Sequence, residues 1–347
     1  MMESIVKVGI AGLGRSGWDI HARVLERLPL IYEVVAVVDP IKERLNEAEK
    51  KFGCRTYSDF DSFAADDDVE LAVIATPTYL HAAHTIKALK SGKKVVCEKP
   101  MAANLAEADA MINAAKNTGN LLTIFHNKRY WPDFLKVKEV IRSGKLGRIV
   151  FVRITLHSFA RRWDWQTLTE FGGGELRNNG VHLIDQALQL MGDVEPEVFC
   201  DLQRTLTLGD AEDHVKLTLK APGPPVVDIE VTHACAYPQD YWLVMGTSGG
   251  LTGGGSSLRW KYVDLKALPP RMVEIMPTPD RSFNAEELNW TEETWELDKD
   301  SVLGESAFYV ELFETLRHGG KLGVTPESAR RVMSIMEKGY RSSRSDT

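Results

Sequence analysis

The chain has 347 residues, of which 44% are hydrophobic and 26% charged, and a formal net charge of −7. This length suits about two domains of ordinary globular composition. The acidic balance excludes a non-specific nucleic-acid binder, which needs a clustered basic surface where this chain has only doublets such as Arg161-Arg162 and Arg330-Arg331.

The first 126 residues alternate short apolar runs, at 5–11, 34–38, 71–75, 95–97 and 121–125, with segments of helical spacing. The clearest helical stripe carries Leu105, Ala108, Met111, Ile112 and Ala115. Strand–helix alternation predicts a parallel sheet covered on both faces, a doubly wound α/β domain over residues 1–126. The rhythm then changes. A helix is predicted over 130–142, a strand over 150–156, and a helix from 175 to 191 after Gly172-Gly173-Gly174. Alternating segments follow between 198 and 297, including 215–219, 227–231 and 243–245, with turn-rich pieces such as Pro222-Gly223-Pro224-Pro225 between them. Helices over 307–318 and 326–340 precede a polar tail at 341–347. Residues 127–347 therefore read as an α+β domain with a large, mostly antiparallel sheet. Gly249-Gly250-Leu251-Thr252-Gly253-Gly254-Gly255 reads as a turn between strands rather than a phosphate loop, because no capped helix follows it.

No stretch approaches membrane-spanning length, and Val8-Gly9-Ile10-Ala11 breaks into glycines too soon for an export signal. Cys54, Cys97, Cys200 and Cys235 form no C-x-x-C pair, so reduced thiols in a cytoplasmic protein are expected.

Gly12-Leu13-Gly14-Arg15-Ser16-Gly17 follows an apolar strand and opens an amphipathic segment. Gly12 suits the tight turn of a dinucleotide fingerprint, Gly14 the close approach of pyrophosphate, and Gly17 close helix–strand packing. The amides of Arg15 and Ser16 then face the phosphates at a helix start. Asp39 ends the second strand, 22 residues beyond Gly17, where a carboxylate accepts from ribose hydroxyls and repels a 2′-phosphate. That favours NAD; the nearby Lys42 and Arg44 leave NADP open, and an Asp-Pro turn is the structural alternative. Thr76-Pro77 ends the next strand and belongs to the same crevice. His81 and His84 have no third ligand at metal spacing, so no metal is expected.

Glu98-Lys99-Pro100 closes the strand at 94–97, as either a structural ion pair or part of a reacting centre; the proline holds Lys99 out of helical geometry. With Gly12–Gly17, Asp39, Thr76-Pro77, His126-Asn127-Lys128-Arg129-Tyr130 and Gly172-Gly173-Gly174…Gly180-Val181-His182-Leu183-Ile184-Asp185, it resembles the family of glucose-fructose oxidoreductase and inositol dehydrogenase relatives (Gfo/Idh/MocA) over nearly the whole chain. The resemblance implies a Rossmann domain joined to an open, mostly antiparallel sheet that supports a homodimer or homotetramer. It also implies a nicotinamide cofactor near Thr76, Pro77, Glu98 and Lys99, a cis Lys99–Pro100 bond, Lys99 on substrate and nicotinamide, and His182 as acid/base. Elementary chemistry agrees with those roles. An imidazole of pKa ~6.5 can take a hydroxyl proton near neutrality, and an ammonium can stabilise negative charge developing on oxygen.

One departure concerns Asn178, one helical turn before His182, where many relatives carry Asp and others Asn. An amide binds a hydroxyl but is no carboxylate base. Asp185 reads as a supporting residue. Asn127, Trp163 and Trp165 are candidate contacts to a sugar or polyol; the tryptophans equally suit loop packing. The expected activity is NAD-dependent oxidation or reduction at a hydroxyl-bearing carbon of a sugar, sugar derivative or cyclitol, with Lys99 and His182 as catalytic pair. A glycosidase using transient oxidation and a non-enzymatic nucleotide sensor on the same scaffold are the alternatives.

Overall fold

Six short strands of the first unit are packed so that helices cover both faces, and the central ones are correspondingly rich in apolar residues. The computed structural model describes residues 5–279, 281–298 and 304–345, with backbone alone at 344 and 345. The strands are β1 (Val6–Ala11), β2 (Tyr32–Val38), β3 (Arg55–Tyr57), β4 (Leu71–Ile74), β5 (Lys94–Cys97) and β6 (Leu122–Ile124). They form one parallel sheet in the order β3-β2-β1-β4-β5-β6. The order in which strands are added reverses between β1 and β4, and that switch point opens a crevice at the strands' carboxyl ends. Helix α1 begins as a π-helical turn at Ser16–Ala22 and continues as Arg23–Glu26. Helices α2 (Lys42–Phe52), α3 (Phe60–Ala64), α4 (Thr78–Lys90) and α5 (Leu105–Thr118) complete the crossovers. The three-residue β3 escaped the sequence reading because its exposed Arg55 and half-buried Thr56 and Tyr57 make no apolar run.

The second unit starts with a 3₁₀ turn at Asn127–Tyr130 and α6 (Pro132–Arg142), whose proline occupies the first turn, where its missing N–H costs nothing. Then come β7 (Ile149–His157) and α7, a π-helical turn at Leu176–Gly180 running into Val181–Met191. Strands β8 (Glu197–Gln203), β9 (His214–Lys220), β10 (Val226–Thr232), β11 (Trp242–Gly246), β12 (Gly249–Gly254), β13 (Ser257–Tyr262) and β14 (Thr291–Glu296) complete an eight-stranded sheet. Its order is β14-β13-β12-β11-β7-β10-β9-β8; only β7 and β10 run parallel. On β9, Val215, Leu217 and Leu219 are buried while Lys216 and Thr218 face outward, the period-two pattern of a sheet covered on one side. The covered side packs on helices: Trp242 stacks on Phe134 of α6 with ring centroids 5.6 Å apart.

Two sequence expectations are corrected here. Of the glycine-rich stretch 249–255, Gly255 alone lies in the turn expected between strands: Gly249–Gly254 is itself a strand within the sheet. Bulky neighbours explain its composition, since a Cβ on Gly249 would lie 2.2 Å from the Lys261 carbonyl oxygen and one on Gly254 2.5 Å from Tyr241 Cβ. The polar tail, where described, is helical. Helix α9 (Pro326–Ser345) continues through it along β8, and Ser342 Oγ accepts from Cys200 N at 3.2 Å. Positions 346 and 347 lie outside the described residues.

Helices α8 (Gly304–His318) and α9 return to the first unit. The Tyr309 hydroxyl lies 2.7 Å from His21 Nδ1, Tyr32 Oη donates to the Tyr309 carbonyl at 2.8 Å, and Thr123 Oγ1 donates to the Val324 carbonyl at 2.8 Å. Residues 304–345 thus lie across both sheets. A buried pair anchors the 3₁₀ turn to α7: Arg129 gives Nε and Nη2 to the two Asp185 oxygens at 2.9 and 2.5 Å and Nη1 to the Gly323 carbonyl at 2.7 Å. Among the described residues no helix is long and apolar enough to cross a membrane.

Asp185→Ala strands a buried guanidinium and is expected to lower stability by about 3–5 kcal/mol. Asp19→Ala, which breaks only the exposed pair with Arg23, should change it by less than about 1 kcal/mol. Urea unfolding followed by circular dichroism compares the two.

Candidate active site

The crevice at the switch point is a cleft of about 770 Å³ walled by both units. Its nucleotide side is built from the ends of β1, β2, β4 and β5: Gly12, Gly14, Arg15 and Ser16, then Asp39, then Thr76 and Pro77, then Glu98 and Lys99. Gly12 has φ +89°, and a Cβ there would sit 2.6 Å from the Ala75 carbonyl oxygen. Gly17 lies behind the wall, where a Cβ would fall 1.8 Å from the Gly12 carbonyl oxygen, so only glycine lets α1 start against the turn. Gly14 is different. Nothing stands within 4 Å of its Cβ position, and a side chain there would project into the space a pyrophosphate needs. These residues fit a dinucleotide.

Asp39 is buried and works within the protein as well. Its Oδ2 accepts from Leu13 N at 2.7 Å and from Arg44 Nη1 at 3.4 Å, and its Oδ1 from Ile41 N at 2.9 Å. It braces the glycine turn while lining the cleft. His81 joins the strand exits, its ring nitrogens 2.8 and 2.9 Å from the carbonyls of Thr76 and Pro100, and His84 stacks on Phe60 at 3.9 Å. Among the described residues no cluster of His, Cys, Asp or Glu is arranged to hold a metal ion.

Glu98 is almost fully enclosed. Its Oε1 lies 3.1 Å from His21 Nε2, and its Oε2 accepts from Lys99 N at 2.9 Å. Burial pushes the carboxyl up, but His21 and Lys99 outweigh it and hold it below its ordinary value. The Lys99–Pro100 peptide is cis. The Lys99 ammonium crosses the cleft to the other unit, donating to the Asn178 main-chain carbonyl at 2.9 Å. Burial lowers its pKa; Glu98 and Glu175 oppose that, and Arg15 reinforces it.

His182 stands one turn beyond Asn178, is 7% exposed and is not one of the residues of the cleft wall. Its Nδ1 is buried without a hydrogen-bond partner among the described residues. Burial, then the charges of Lys99 and Lys128 and the ring of His126, hold it well below 6.5, so the ring is neutral at neutral pH. His126 meets it edge to face at 6.3 Å and is pushed down to about 4, chiefly by burial. Lys128 is lowered to about 8 by burial and by Lys99, its ammonium lying over the Trp131 and Tyr241 rings at 4.9 and 5.6 Å.

The remaining substrate candidates divide. Asn178 and Trp165 line the cleft. Asn127 does not: it is buried, and its amide nitrogen donates to Glu305 Oε1 at 2.8 Å, which ties the 3₁₀ turn to α8. Trp163 is also outside the wall and 76% exposed, because the chain there turns its neighbours inward instead. Those neighbours, Arg162, Asp164 and Gln166, and Arg177 were missed. Arg162 forks onto Asp164 at 2.9 and 2.8 Å and reaches Gln166 at 2.8 Å. The alternation of polar 162, 164 and 166 with tryptophans was the available signal.

A parallel sheet with a glycine turn at its switch point, joined to a second sheet that completes the cleft, defines a dinucleotide-binding two-domain oxidoreductase. Residues 6–126 match the oxidoreductase family with NAD-binding Rossmann fold, and residues 134–252 match the GFO/IDH/MocA C-terminal domain. The chain belongs to the Gfo/Idh/MocA family of NAD(P)-binding oxidoreductases. It is 28% identical to an uncharacterized oxidoreductase of Schizosaccharomyces pombe over 99% of this chain and 98% of that one. It is 30% identical to scyllo-inositol 2-dehydrogenase (NADP(+)) of Bacillus subtilis over 62% of this chain and 59% of the relative. Its fold matches a levoglucosan dehydrogenase solved with NADH and levoglucosan, with TM-score 0.81 at 22% identity over 99% of this chain and 98% of the other.

If the Lys99 charge holds the His182 ring neutral, Lys99→Met raises the His182 pKa toward 6.5, because nothing then repels the imidazolium from that side. Imidazole resonances followed by NMR through a pH titration check the direction.

Proposed function

We propose that this protein oxidises a secondary hydroxyl of a sugar, sugar derivative or cyclitol with NAD, using Lys99 and His182. The observation that carries this reading is the reach of Lys99 across the cleft to the main-chain carbonyl of Asn178, one helical turn before His182. The Lys99 ammonium holds the substrate oxygen and stabilises the charge that grows on it as its proton leaves. His182 accepts that proton, for which a neutral ring is the required form. Bound NAD supplies the acceptor for the hydride that leaves the same carbon. Gly12, Gly14, Arg15 and Ser16 take the pyrophosphate, and Asp39 the adenosine ribose. Two relatives support the substrate class, one named for scyllo-inositol and one solved with levoglucosan. We place a second copy of the chain on the outer face of the eight-stranded sheet, where Phe199 and Met245 are 53% and 46% exposed.

A polyol panel with NAD, read as NADH absorbance, tests the activity. Lys99→Ala and His182→Ala should each lower kcat/KM by about 10²–10⁴-fold while NADH still binds. Since oxidation needs neutral His182, whose pKa is held well below 6.5, kcat/KM should hold through neutrality and on past 6.5, and fall only at pH well below 6.5. Full activity in either variant, or glycoside cleavage without net NADH, would sink the assignment.

Asp39→Asn removes the charge that repels a 2′-phosphate and releases Arg44 to meet one. The ratio of kcat/KM with NADP to that with NAD should rise about tenfold or more; parallel titrations of the two cofactors measure it.

A further inference from the structure

Beneath the substrate side of the cleft lies a buried carboxylate that the chemistry above leaves unused. Glu175 is 4% exposed and stands immediately before the π-helical turn that carries Asn178. Four side chains converge on it. Its Oε1 accepts from Arg162 Nη1 at 3.2 Å and Asn178 Nδ2 at 3.4 Å, and lies 3.0 Å from His233 Nε2. Its Oε2 accepts from Asn179 Nδ2 at 2.6 Å. His233 is held from behind by Ser158, whose hydroxyl is 2.8 Å from Nδ1. Burying a carboxylate is costly unless it is well paired. Here two of the partners, Arg162 and Asn178, are residues of the cleft wall.

The arrangement decides which way Asn178 points. A carboxylate only accepts, so the amide must turn its nitrogen toward Glu175. Its Oδ1, which has no partner among the described residues, is then the end left for the cleft. The same residue's main-chain carbonyl receives the Lys99 ammonium. The Glu175 charge also acts on Lys99, supporting its protonated form together with Glu98 and against Arg15. Around Glu175 itself stand Arg162 and His233, with Asp164 on the far side of Arg162.

We propose that Glu175 is a positioning residue of this active site: it turns the Asn178 amide so that its oxygen accepts from a substrate hydroxyl, and it sets a negative charge on the same residue whose main-chain carbonyl receives the Lys99 ammonium. The carboxylate that position 178 lacks is thus provided from one turn earlier, below the floor. This rests on the hydroxyl-oxidising reading above, and the test separates the two.

Glu175→Gln keeps the shape and removes the charge; its own amide no longer dictates how Asn178 turns. With a substrate from the panel, kcat/KM should fall about 10–100-fold, the worth of one hydrogen bond to a charged group, while NADH affinity and melting temperature stay near wild type. Adding Asn178→Asp restores a carboxylate next to Lys99 and should recover most of the loss. Glu175→Asp keeps the charge but draws it back from Asn178, so kcat/KM falls without that recovery. A second readout needs no turnover: acetic anhydride labelling of Lys99 against pH, quantified by peptide mass spectrometry. The labelling midpoint should move to lower pH in Glu175→Gln, stay put in Glu175→Asp, and return in the double variant. An unmoved midpoint in Glu175→Gln overturns the proposal, as does wild-type kcat/KM in a folded Glu175→Asp. If the wild type oxidises no polyol while the midpoint still moves, the oxidation reading fails and the link from Glu175 to Lys99 stands.

Discussion

The Lys99 ammonium leaves the end of one sheet and finds its acceptor on the backbone of a helix that covers the other. That hydrogen bond, 2.9 Å long, bridges the nucleotide side and the substrate side of the cleft. Its geometry is set at both ends. On one side Glu98, fixed by His21, takes the Lys99 N–H and orients the strand exit. On the other a π-helical turn interrupts the regular ladder at Leu176–Gly180, an irregularity often found at functional sites. The same kind of turn opens α1 at the glycine fingerprint.

Crowding cations into a dry region has electrostatic consequences that the site resolves by keeping imidazoles neutral. Burial shifts Lys99, Lys128, His126 and His182 away from their charged forms; the Lys99 charge adds to this at the other three, and Lys128 and His126 add to it at His182. Carboxylates close by, Glu98 and Glu175, retain their charge because hydrogen-bond donors surround them. The result is a set of groups whose protonation states are sorted by their surroundings, an arrangement that clusters at functional sites.

Much of this was legible in the chain. The glycine spacing, the apolar runs and Asp39 located the nucleotide side because each obeys a local rule: a turn, a strand, a fixed distance along one βαβ unit. Lys99 and His182 were found through a motif rather than through periodicity. What escaped depended on tertiary crowding. Nothing local distinguishes a glycine strand from a glycine turn until Tyr241 and Lys261 are packed against it. Asn127 looks like a cleft residue until Glu305, far along the chain, claims its amide. Glu175 was unremarked because its significance lies in Arg162 and His233, which approach from other elements. The burial of His182 likewise comes from neighbours that no window of sequence contains.

The return of α8 and α9 across both sheets has a bearing on how this architecture can be taken apart. Tyr309 and Val324 cap polar groups of the nucleotide unit, at His21 and Thr123, that would otherwise meet solvent or nothing. Arg317 and Arg330 clasp Glu70 and Asp109 of that same unit. The nucleotide unit is therefore finished by helices far along the chain from it. Grafting a foreign nucleotide module onto this substrate module would demand matched closing helices too, so the unit of exchange includes α8 and α9 and not the first six strands and their helices alone.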